Sequence, residues 1–144
     1  MNLAVALVAA ALVLAAVAVL VWGRPACSCK KLRVGPTNVG RGVFAQRDFA
    51  EGEVVETCPL LVMPTDQWGD ATADYVFEHD DKNKALALGL CSMYNHSKKP
   101  NLTYEIGEPA NTMVTRAARD IKAGEELRIS YGANWFKERD MQEK

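Results

Sequence analysis

The first apolar stretch of the chain is long and uninterrupted. Residues 3–22 carry no charged or polar side chain, and as a helix they would span about 30 Å, the thickness of a bilayer's hydrocarbon core. Basic side chains are absent before this stretch, whereas Arg24, Lys30, Lys31 and Arg33 follow it closely. We therefore expect a single-pass anchor at 1–23. Because positive residues stay on the cytoplasmic side, the rest of the chain would lie in the cytoplasm or in an organelle's matrix or stroma.

A cleaved secretory signal is the alternative for this segment, and it would release a secreted or periplasmic domain. Such a signal needs a basic start, a shorter apolar run and a small-residue cleavage site. Here the start is Met1-Asn2, and Arg24-Pro25 follows the apolar run directly. The pattern therefore favours the anchor, and the N-terminus of the mature chain distinguishes the two.

The rest of the chain alternates short apolar runs with turn-forming residues. Residues 23–31 combine Gly, Pro, small residues and charge without apolar periodicity, which indicates a tether at 24–31. Over 32–144, runs of about four to six apolar or β-branched residues predict a strand-rich domain. The predicted strands are 32–34, 42–45, 54–57, 60–63, 102–106 and 113–116. Two segments, 72–78 and 84–93, favour helix, so the predicted class is mainly β, a β-rich α+β fold with small helical inserts.

One sequence occurs twice, as RDFAEGE at 47–53 and as RDIKAGE at 119–125. In each copy a central apolar residue is followed by glycine, whose backbone is permissive, and by a glutamate that leads into an apolar run. We predict two turns of the same chemistry rather than a duplicated domain.

Composition and cysteine spacing exclude several function classes. The net charge is -1 with 24% charged residues, so we expect no direct binding of nucleic acid. Four cysteines, Cys27, Cys29, Cys58 and Cys91, are too few and too unevenly spaced for a disulfide framework, and a lone Cys-x-Cys makes no tetrahedral zinc site. We therefore expect reduced thiols and no metal site.

Three short motifs carry the candidate chemistry. They are Gly-Arg-Gly-Val at 40–43, Tyr-Asn-His-Ser-Lys-Lys-Pro-Asn at 94–101 and Glu-Glu-Leu-Arg-Ile-Ser-Tyr-Gly at 125–132. Gly-x-Gly lets backbone amides approach a ligand, although it also occurs in plain tight turns. A run of Asn, His and Ser offers hydrogen bonds to a heterocycle, although it also suits an ordinary polar turn. Each motif taken singly leaves both interpretations open.

In this order the motifs resemble the SET-domain protein lysine methyltransferases, and most of all the compact bacterial and viral members without zinc modules. The resemblance covers about 34–136. It implies SET-like small β-sheets around a C-terminal pseudoknot, in which the C-terminal segment passes through a loop beside Asn95-His96. It also implies S-adenosylmethionine as cofactor and a protein lysine as substrate. Lys98 stands where many relatives have a zinc-binding Cys, which agrees with a zinc-free form, and Ser130 stands where Asp often precedes the catalytic Tyr.

The resemblance also assigns roles to individual residues. Gly40, Arg41 and Gly42 would line the cofactor through their backbone, while Asn95 and His96 would hold its adenosine portion. Tyr131 would stand at the point of methyl transfer as the catalytic residue. Tyr75 would line the lysine channel, and Trp135 or Phe136 would cover the cofactor or the channel mouth. Core packing is the alternative role of these three aromatic residues.

The function that follows is an S-adenosylmethionine-dependent protein-lysine N-methyltransferase, tethered to a membrane by its N-terminal helix. Its partners would be a nearby protein substrate and the membrane. The alternative is a non-catalytic SET-like accessory subunit of a membrane protein assembly, which uses the same fold as a binding surface. Binding of S-adenosylmethionine distinguishes the two.

Overall fold

The computed structural model describes residues 31–107, 111–132 and 134–141. In these ranges the chain forms two sheets, one of four strands in the order β1-β2-β9-β6 and one of five in the order β4-β5-β3-β8-β7. The strands are β1 (Leu32–Thr37), β2 (Gly40–Ala45), β3 (Val54–Pro64), β4 (Val76–Glu78), β5 (Asn83–Ala87), β6 (Asn95–His96), β7 (Leu102–Gly107), β8 (Thr112–Ala117) and β9 (Glu126–Ile129). Short 3-10 helices occupy Thr65–Gln67, Asp70–Thr72, Leu90–Met93 and Lys137–Arg139. The expected mainly β class is confirmed.

The four-stranded sheet brings the two ends of the domain together. β1 and β2 form an antiparallel hairpin that closes at Thr37 and Gly40, where a φ of 117° is readily adopted by glycine. β9 pairs antiparallel with β2 on one side and parallel with β6 on the other. A strand from late in the chain therefore lies directly beside Asn95-His96. Threading of the C-terminal segment through a loop, as in a pseudoknot, stays a prediction.

The long strand β3 joins two stretches that the sequence predicted as separate strands, 54–57 and 60–63. It pairs with β8 along its first half and with β5 along its second half. The register against β8 shifts between Val54 and Glu56, which marks a β-bulge. Because of the extra residue, both Val55 and Glu56 point into the protein, and a glutamate enters the core.

The core is one cluster of buried apolar side chains to which both sheets contribute. Alternation along the strands produces it: in β8 and β9 every second residue is buried. The largest fully buried side chains include Tyr94, Phe49, Leu102, Met113, Ile121, Leu127 and Ile129. Tyr94 directly precedes β6, so the candidate motif is attached to the core by its first residue.

The helix predicted at 84–93 is wrong. The segment forms β5 and, after a break, the 3-10 helix Leu90–Met93. Alternating Ala and Leu residues favour helix by intrinsic propensity, but Ala85 and Ala87 are buried while Leu88 is exposed, a period of two. Pairing of β5 between β3 and β4 overrides the local preference.

The helix predicted at 72–78 is also wrong. The 3-10 helix Asp70–Thr72 ends as this segment begins, and β4 occupies its last three residues. β4 pairs antiparallel with β5, from Val76 opposite Leu86 to Glu78 opposite Lys84. The β-branched Val76 and the aromatic Phe77 suit this edge strand.

The two copies of the repeated sequence form matching turns, as predicted. In one, Arg47 pairs with Glu53 at 2.5 Å, and in the other Arg119 pairs with Glu125 at 2.7 Å. The turns also pack on each other, because the aspartate of each accepts a backbone N–H from the other. The contacts between them are Asp48 Oδ1 with Ala123 N (2.9 Å), Asp120 Oδ1 with Glu51 N (3.0 Å) and a β-bridge between Phe49 and Ile121.

Two further predictions concern the cysteines and the membrane. The expectation of reduced thiols is wrong for Cys58 and Cys91, whose sulfurs form a disulfide in the core. They lie 33 residues apart, and only the fold brings β3 next to the helix Leu90–Met93. No helix of the described ranges is long and apolar enough to cross a membrane. The predicted anchor at 1–23, and all but the last residue of the tether at 24–31, lie outside the described residues.

Candidate functional site

The segment 94–101 is held against β9 along most of its length. Asn95 and His96 pair with Arg128 and Ile129 in parallel, and the N–H of Ser97 donates to the carbonyl of Ile129 at 2.9 Å. At the end of the segment, the buried amide of Asn101 bridges the backbone of β9. Its Nδ2 donates to the carbonyl of Glu126 and its Oδ1 accepts from the N–H of Arg128, both at 2.8 Å. Asn101 thus fixes the position of β9.

Asn95 connects this segment to the glycine-containing motif on β2. Its Nδ2 donates to the carbonyl of Arg41 at 3.0 Å and to Oε1 of Glu126 at 2.7 Å. A Cβ at Gly42 would lie 2.8 Å from that Nδ2 and 2.6 Å from that Oε1. Gly42 is therefore required by close packing. Arg41 and Gly40 are exposed, and a Cβ at Gly40 would meet no heavy atom within 4 Å, so the open face lies there.

Glu126 is the charged group at the centre of these contacts, and the sequence analysis assigned it no role. Its Oε1 accepts from Asn95, while its Oε2 accepts from Nε of Arg128 at 2.9 Å and also from Nη2 of Arg128. Because the guanidinium supplies two donors, the carboxylate is held in a fixed orientation. Two consecutive glutamates opening the third motif were the available signal, but nothing in the sequence distinguishes Glu126 from Glu125.

Tyr131 is joined to the segment 94–96 at both its backbone and its hydroxyl. Its N–H donates to Nδ1 of His96 at 3.1 Å, and its hydroxyl donates to the carbonyl of Tyr94 at 2.8 Å. With Nδ1 as acceptor, a neutral His96 carries its proton on Nε2. Burial, helped by the negative charges of Asp74 and others nearby, raises the pKa of Tyr131 to about 12. Tyr131 is therefore a neutral hydrogen-bond donor at physiological pH.

Aromatic rings surround Tyr131. Trp135 packs 4.8 Å from it and Phe136 stacks at 6.3 Å with an interplanar angle of 16°. Phe136 also meets His96 edge-on at 4.9 Å, and Trp135 meets Phe136 edge-on at 4.8 Å. Four rings from two distant parts of the chain thus form one cluster.

A cavity of about 420 Å³ opens beside this cluster. Its walls come from the segment before β4, from β4 and β5, and from the C-terminal part of the domain. Of the 15 described residues that line it, six are aromatic and four are charged. The lining residues used below are Asp74, Tyr75, Tyr94, Tyr131, Trp135 and Arg139.

The predicted site residues divide into two groups that meet at Tyr131. Gly40-Arg41-Gly42 and Asn95 are connected through hydrogen bonds and close packing, and His96 adjoins them. Tyr75 and Trp135 line the cavity, whereas Phe136 packs on His96 and is absent from the lining. Tyr131 belongs to both groups because it contacts His96 and also lines the cavity.

The sequence analysis missed a buried polar centre behind Tyr94. The hydroxyl of Tyr94 donates to Oε2 of Glu56 at 3.1 Å, and Oε1 of Glu56 accepts the N–H of Leu90 at 3.2 Å. Burial and the Glu56 carboxylate raise the pKa of Tyr94 well above its usual range. The Cys58–Cys91 disulfide lies next to this carboxylate, with both sulfurs and a carboxylate oxygen of Glu56 within 4.8 Å of one another. Only the bulge in β3 turns Glu56 inward, and a bulge leaves no clear sequence signal.

Comparison with known proteins places this geometry in a family. The family model for the SET domain matches residues 40–132. The histone-lysine N-methyltransferase of Schizosaccharomyces pombe named as specific for H3 lysine-37 is 34% identical over 105 residues, which are 69% of this chain and 71% of that protein. N-lysine methyltransferase KMT5A-B of Xenopus laevis is 34% identical over 111 residues, 65% of this chain but only 33% of that protein.

A solved structure agrees with these relatives. A Plasmodium falciparum protein, described as a "putative histone methyltransferase", superposes with a TM-score of 0.66 and 32% sequence identity. The match covers 74% of this chain and 96% of that one. The match of the SET model to about two thirds of the chain and the shared fold lead to one conclusion: the chain belongs to the SET-domain family.

Proposed function

We propose that the chain is a protein-lysine N-methyltransferase that uses S-adenosylmethionine. The observation that carries the proposal is the position of Tyr131, which is hydrogen-bonded to His96 and Tyr94 and lines an aromatic cavity. The relatives named as lysine methyltransferases support the same activity. In this proposal Tyr131 is the catalytic residue, and Tyr75 and Trp135 form walls of the lysine channel.

The residues assigned to the cofactor fit it. The exposed backbone at Gly40 and Arg41 leaves room for a ligand, and the Asn95 amide holds that backbone in place. Asn95 would act indirectly, because its amide holds the Arg41 backbone rather than contacting the cofactor. The imidazole of His96, bordered by Phe136, would lie against the adenosine portion. When bound, S-adenosylmethionine supplies a methyl group on a positively charged sulfur; the amine forms a bond to its carbon while the carbon–sulfur bond breaks, leaving the electron pair on sulfur.

The cavity would prepare the lysine for this transfer. A lysine amine carries a proton at neutral pH, with a reference pKa of about 10.4, and needs its lone pair to react. An aromatic channel lowers that pKa by desolvation, so the proton leaves to solvent more readily. The Tyr131 hydroxyl is held by the Tyr94 carbonyl, and both oxygens can orient the amine. With a pKa of about 12, Tyr131 orients and does not abstract protons at neutral pH.

Membrane attachment is part of the proposal and rests on the sequence alone. The uninterrupted apolar stretch at 3–22 supports a single-pass anchor, and the basic residues after it support a domain on the cytoplasmic, matrix or stromal side. The Cys58–Cys91 disulfide argues against a reducing compartment, because such bonds persist mainly in oxidising ones. The substrate would then be a protein close to that membrane. The Schizosaccharomyces pombe relative is named as a histone-lysine N-methyltransferase, so core histones are the first probe.

Binding and transfer experiments test the proposal against a non-catalytic accessory role. Titration calorimetry of the full chain with S-adenosylmethionine should show binding in the micromolar range. Incubation with labelled S-adenosylmethionine, core histones and a lysine-centred peptide library should then transfer label, and Tyr131→Phe should reduce that transfer strongly. Absence of binding would favour the accessory subunit. Binding without transfer to any lysine, or transfer unaffected by Tyr131→Phe, would refute the catalytic assignment.

A further inference from the structure

Two walls of the cavity come from segments that are far apart in sequence. One wall is the segment 73–75 before β4, which contributes Asp74 and Tyr75. The other is the C-terminal segment, which contributes Tyr131 and Trp135. Within the described ranges, neither β4 nor the helix Lys137–Arg139 pairs with a strand of the opposite wall. The distance between these two segments therefore depends on side-chain contacts between them.

Arg139 makes hydrogen bonds to both walls. Its Nε donates to Oδ1 of Asp74 at 2.8 Å and its Nη2 donates to the carbonyl of Ala73 at 3.0 Å. Its Nη1 donates to the carbonyl of Trp135, on its own wall, at 3.2 Å. One planar group thus fixes the distance between the segments that border the cavity.

The same guanidinium also fixes an aromatic wall residue. It lies 4.2 Å from the centre of the Trp135 ring, and that ring packs 4.8 Å from Tyr131. Arg139 is therefore separated from Tyr131 by a single side chain. A lysine at position 139 would lack the planar guanidinium and its several donors. It would therefore not combine stacking on Trp135 with the directed hydrogen bonds.

Other charged groups at the cavity make no such connection. Lys84 pairs with Glu78 at 3.0 Å, but both lie on the neighbouring strands β5 and β4 of one wall. The side chain of Asp74 is 62% exposed, and an ion pair this open to solvent contributes little to the free energy of unfolding. The consequence of the Arg139 contacts is thus the placement of the walls rather than the stability of the fold.

We propose that Arg139 is a positioning residue that closes the lysine channel, by holding Trp135 against Tyr131 and the segment 73–75 against the C-terminal segment. The channel itself rests on the proposed function, whereas the placement of Trp135 does not. Loss of the Arg139 contacts would let Trp135 move away from Tyr131 and would widen the channel where the substrate enters. The cofactor side, built on Gly40-Arg41-Gly42 and Asn95, would be unaffected.

A fluorescence measurement tests the placement without any need for activity. The full chain contains Trp22, Trp68 and Trp135, so Trp22→Phe with Trp68→Phe leaves Trp135 as the reporter. In this background Arg139→Gln should raise acrylamide quenching of Trp135, and Arg139→Lys should do the same in part. The matched control is Arg33→Gln, which removes a guanidinium 4.5 Å from the Phe44 ring on the β1–β2 hairpin. Unchanged quenching in Arg139→Gln would overturn the proposal.

Steady-state kinetics test the consequence for the substrate. Arg139→Gln should raise KM for the peptide substrate about tenfold. KM for S-adenosylmethionine should change less than about twofold, because only the peptide side of the site opens. Asp74→Asn should act in the same direction, and the double variant should be little worse than Arg139→Gln alone. An equal rise in KM for the peptide and for S-adenosylmethionine would refute the positioning role of Arg139. So would additive effects of Arg139→Gln and Asp74→Asn in the double variant. If the wild type transfers no methyl group the proposed function fails, and quenching alone still decides whether Arg139 places Trp135.

Discussion

The hydroxyl of Tyr131 donates a 2.8 Å hydrogen bond to the main-chain carbonyl of Tyr94. Tyr94 in turn donates from its own hydroxyl to Glu56 in the core. Tyr94 therefore connects the cavity to a buried carboxylate, and the position of the Tyr131 hydroxyl is set by the packing of the core. A catalytic group held in this way needs no rearrangement before the reaction.

Replacing Tyr131 with Phe removes the hydroxyl and keeps the ring. Loss of a positioned hydrogen bond should lower kcat by about 10- to 100-fold, and the free energy of unfolding by about 0.5–1.5 kcal/mol. The ring contacts with Trp135 and Phe136 remain, so binding of S-adenosylmethionine should be nearly unchanged. Single-turnover transfer and urea unfolding measure the two effects. Wild-type kcat in the variant would contradict the assigned role.

The raised pKa of Tyr131 predicts a loss of stability at high pH. An unfolded tyrosine loses its proton near pH 10, whereas folded Tyr131 keeps it until about pH 12. Above pH 10 the unfolded state is thus favoured by ionisation, and this contribution to stability is complete below pH 10 and lost by about pH 12. The free energy of unfolding of the wild type minus that of Tyr131→Phe should therefore fall as the pH rises from about 10 to about 12. A constant difference would show that the pKa is not raised.

Gly42→Ala should damage the cofactor side by crowding. The added methyl group would lie 2.6 Å from Glu126 Oε1 and 2.8 Å from Asn95 Nδ2, so both side chains must move. We expect a loss of about 1–3 kcal/mol in free energy of unfolding and weaker binding of S-adenosylmethionine in calorimetry. Gly69→Ala is the matched control, because a Cβ there meets nothing within 4 Å and φ is -79°. Equal behaviour of the two variants would contradict the close-packing account.

Asn101→Ala should destabilise the fold rather than abolish a ligand contact. The buried amide satisfies one carbonyl and one N–H of β9, and its removal leaves both without that partner. The expected cost is about 1–3 kcal/mol in urea unfolding. Asn38→Ala, at an exposed position in the β1–β2 turn, should cost much less. A variant as stable as Asn38→Ala would show that Asn101 does not hold β9.

Reduction of the Cys58–Cys91 disulfide should lower stability. The bond closes a loop with a sequence separation of 33 residues, for which chain entropy suggests about 3–4 kcal/mol. Urea unfolding with and without a dithiol reductant measures the loss, and the double variant Cys58→Ala/Cys91→Ala should no longer respond to the reductant. A wild type with four free thiols under denaturing, non-reducing conditions would contradict the disulfide.

Part of the fold was accessible from the sequence because short apolar or β-branched runs, bounded by turn-forming residues, mark several of its strands. The predicted runs at 42–45, 102–106 and 113–116 lie within β2, β7 and β8, and of these three strands β8 alternates strictly. The helix predicted at 84–93 failed because intrinsic propensity is local, whereas β5 gains its stability from pairing with β3 and β4. The Cys58–Cys91 disulfide was missed because the bond depends on the packing of β3 against a distant helix.

The candidate site could be predicted from the sequence only where its residues lie in motifs. Tyr131, His96 and Asn95 stand at fixed positions in recognisable sequences, and the fold brings them together. Glu126, Tyr94 and Arg139 could not be predicted, because their roles depend on which distant group each side chain reaches. Arg139 meets Asp74 across 65 residues, a contact that no local pattern encodes.

Tandem mass spectrometry of a methylated lysine tests the central claim most directly. The full chain is incubated with S-adenosylmethionine, core histones and the lysine-centred peptide library, beside the Tyr131→Phe variant at equal concentration. The account predicts lysine methylation that requires S-adenosylmethionine and falls by about 10- to 100-fold in Tyr131→Phe. No methylated lysine with the folded, cofactor-binding wild type, or equal methylation by both proteins, would contradict it.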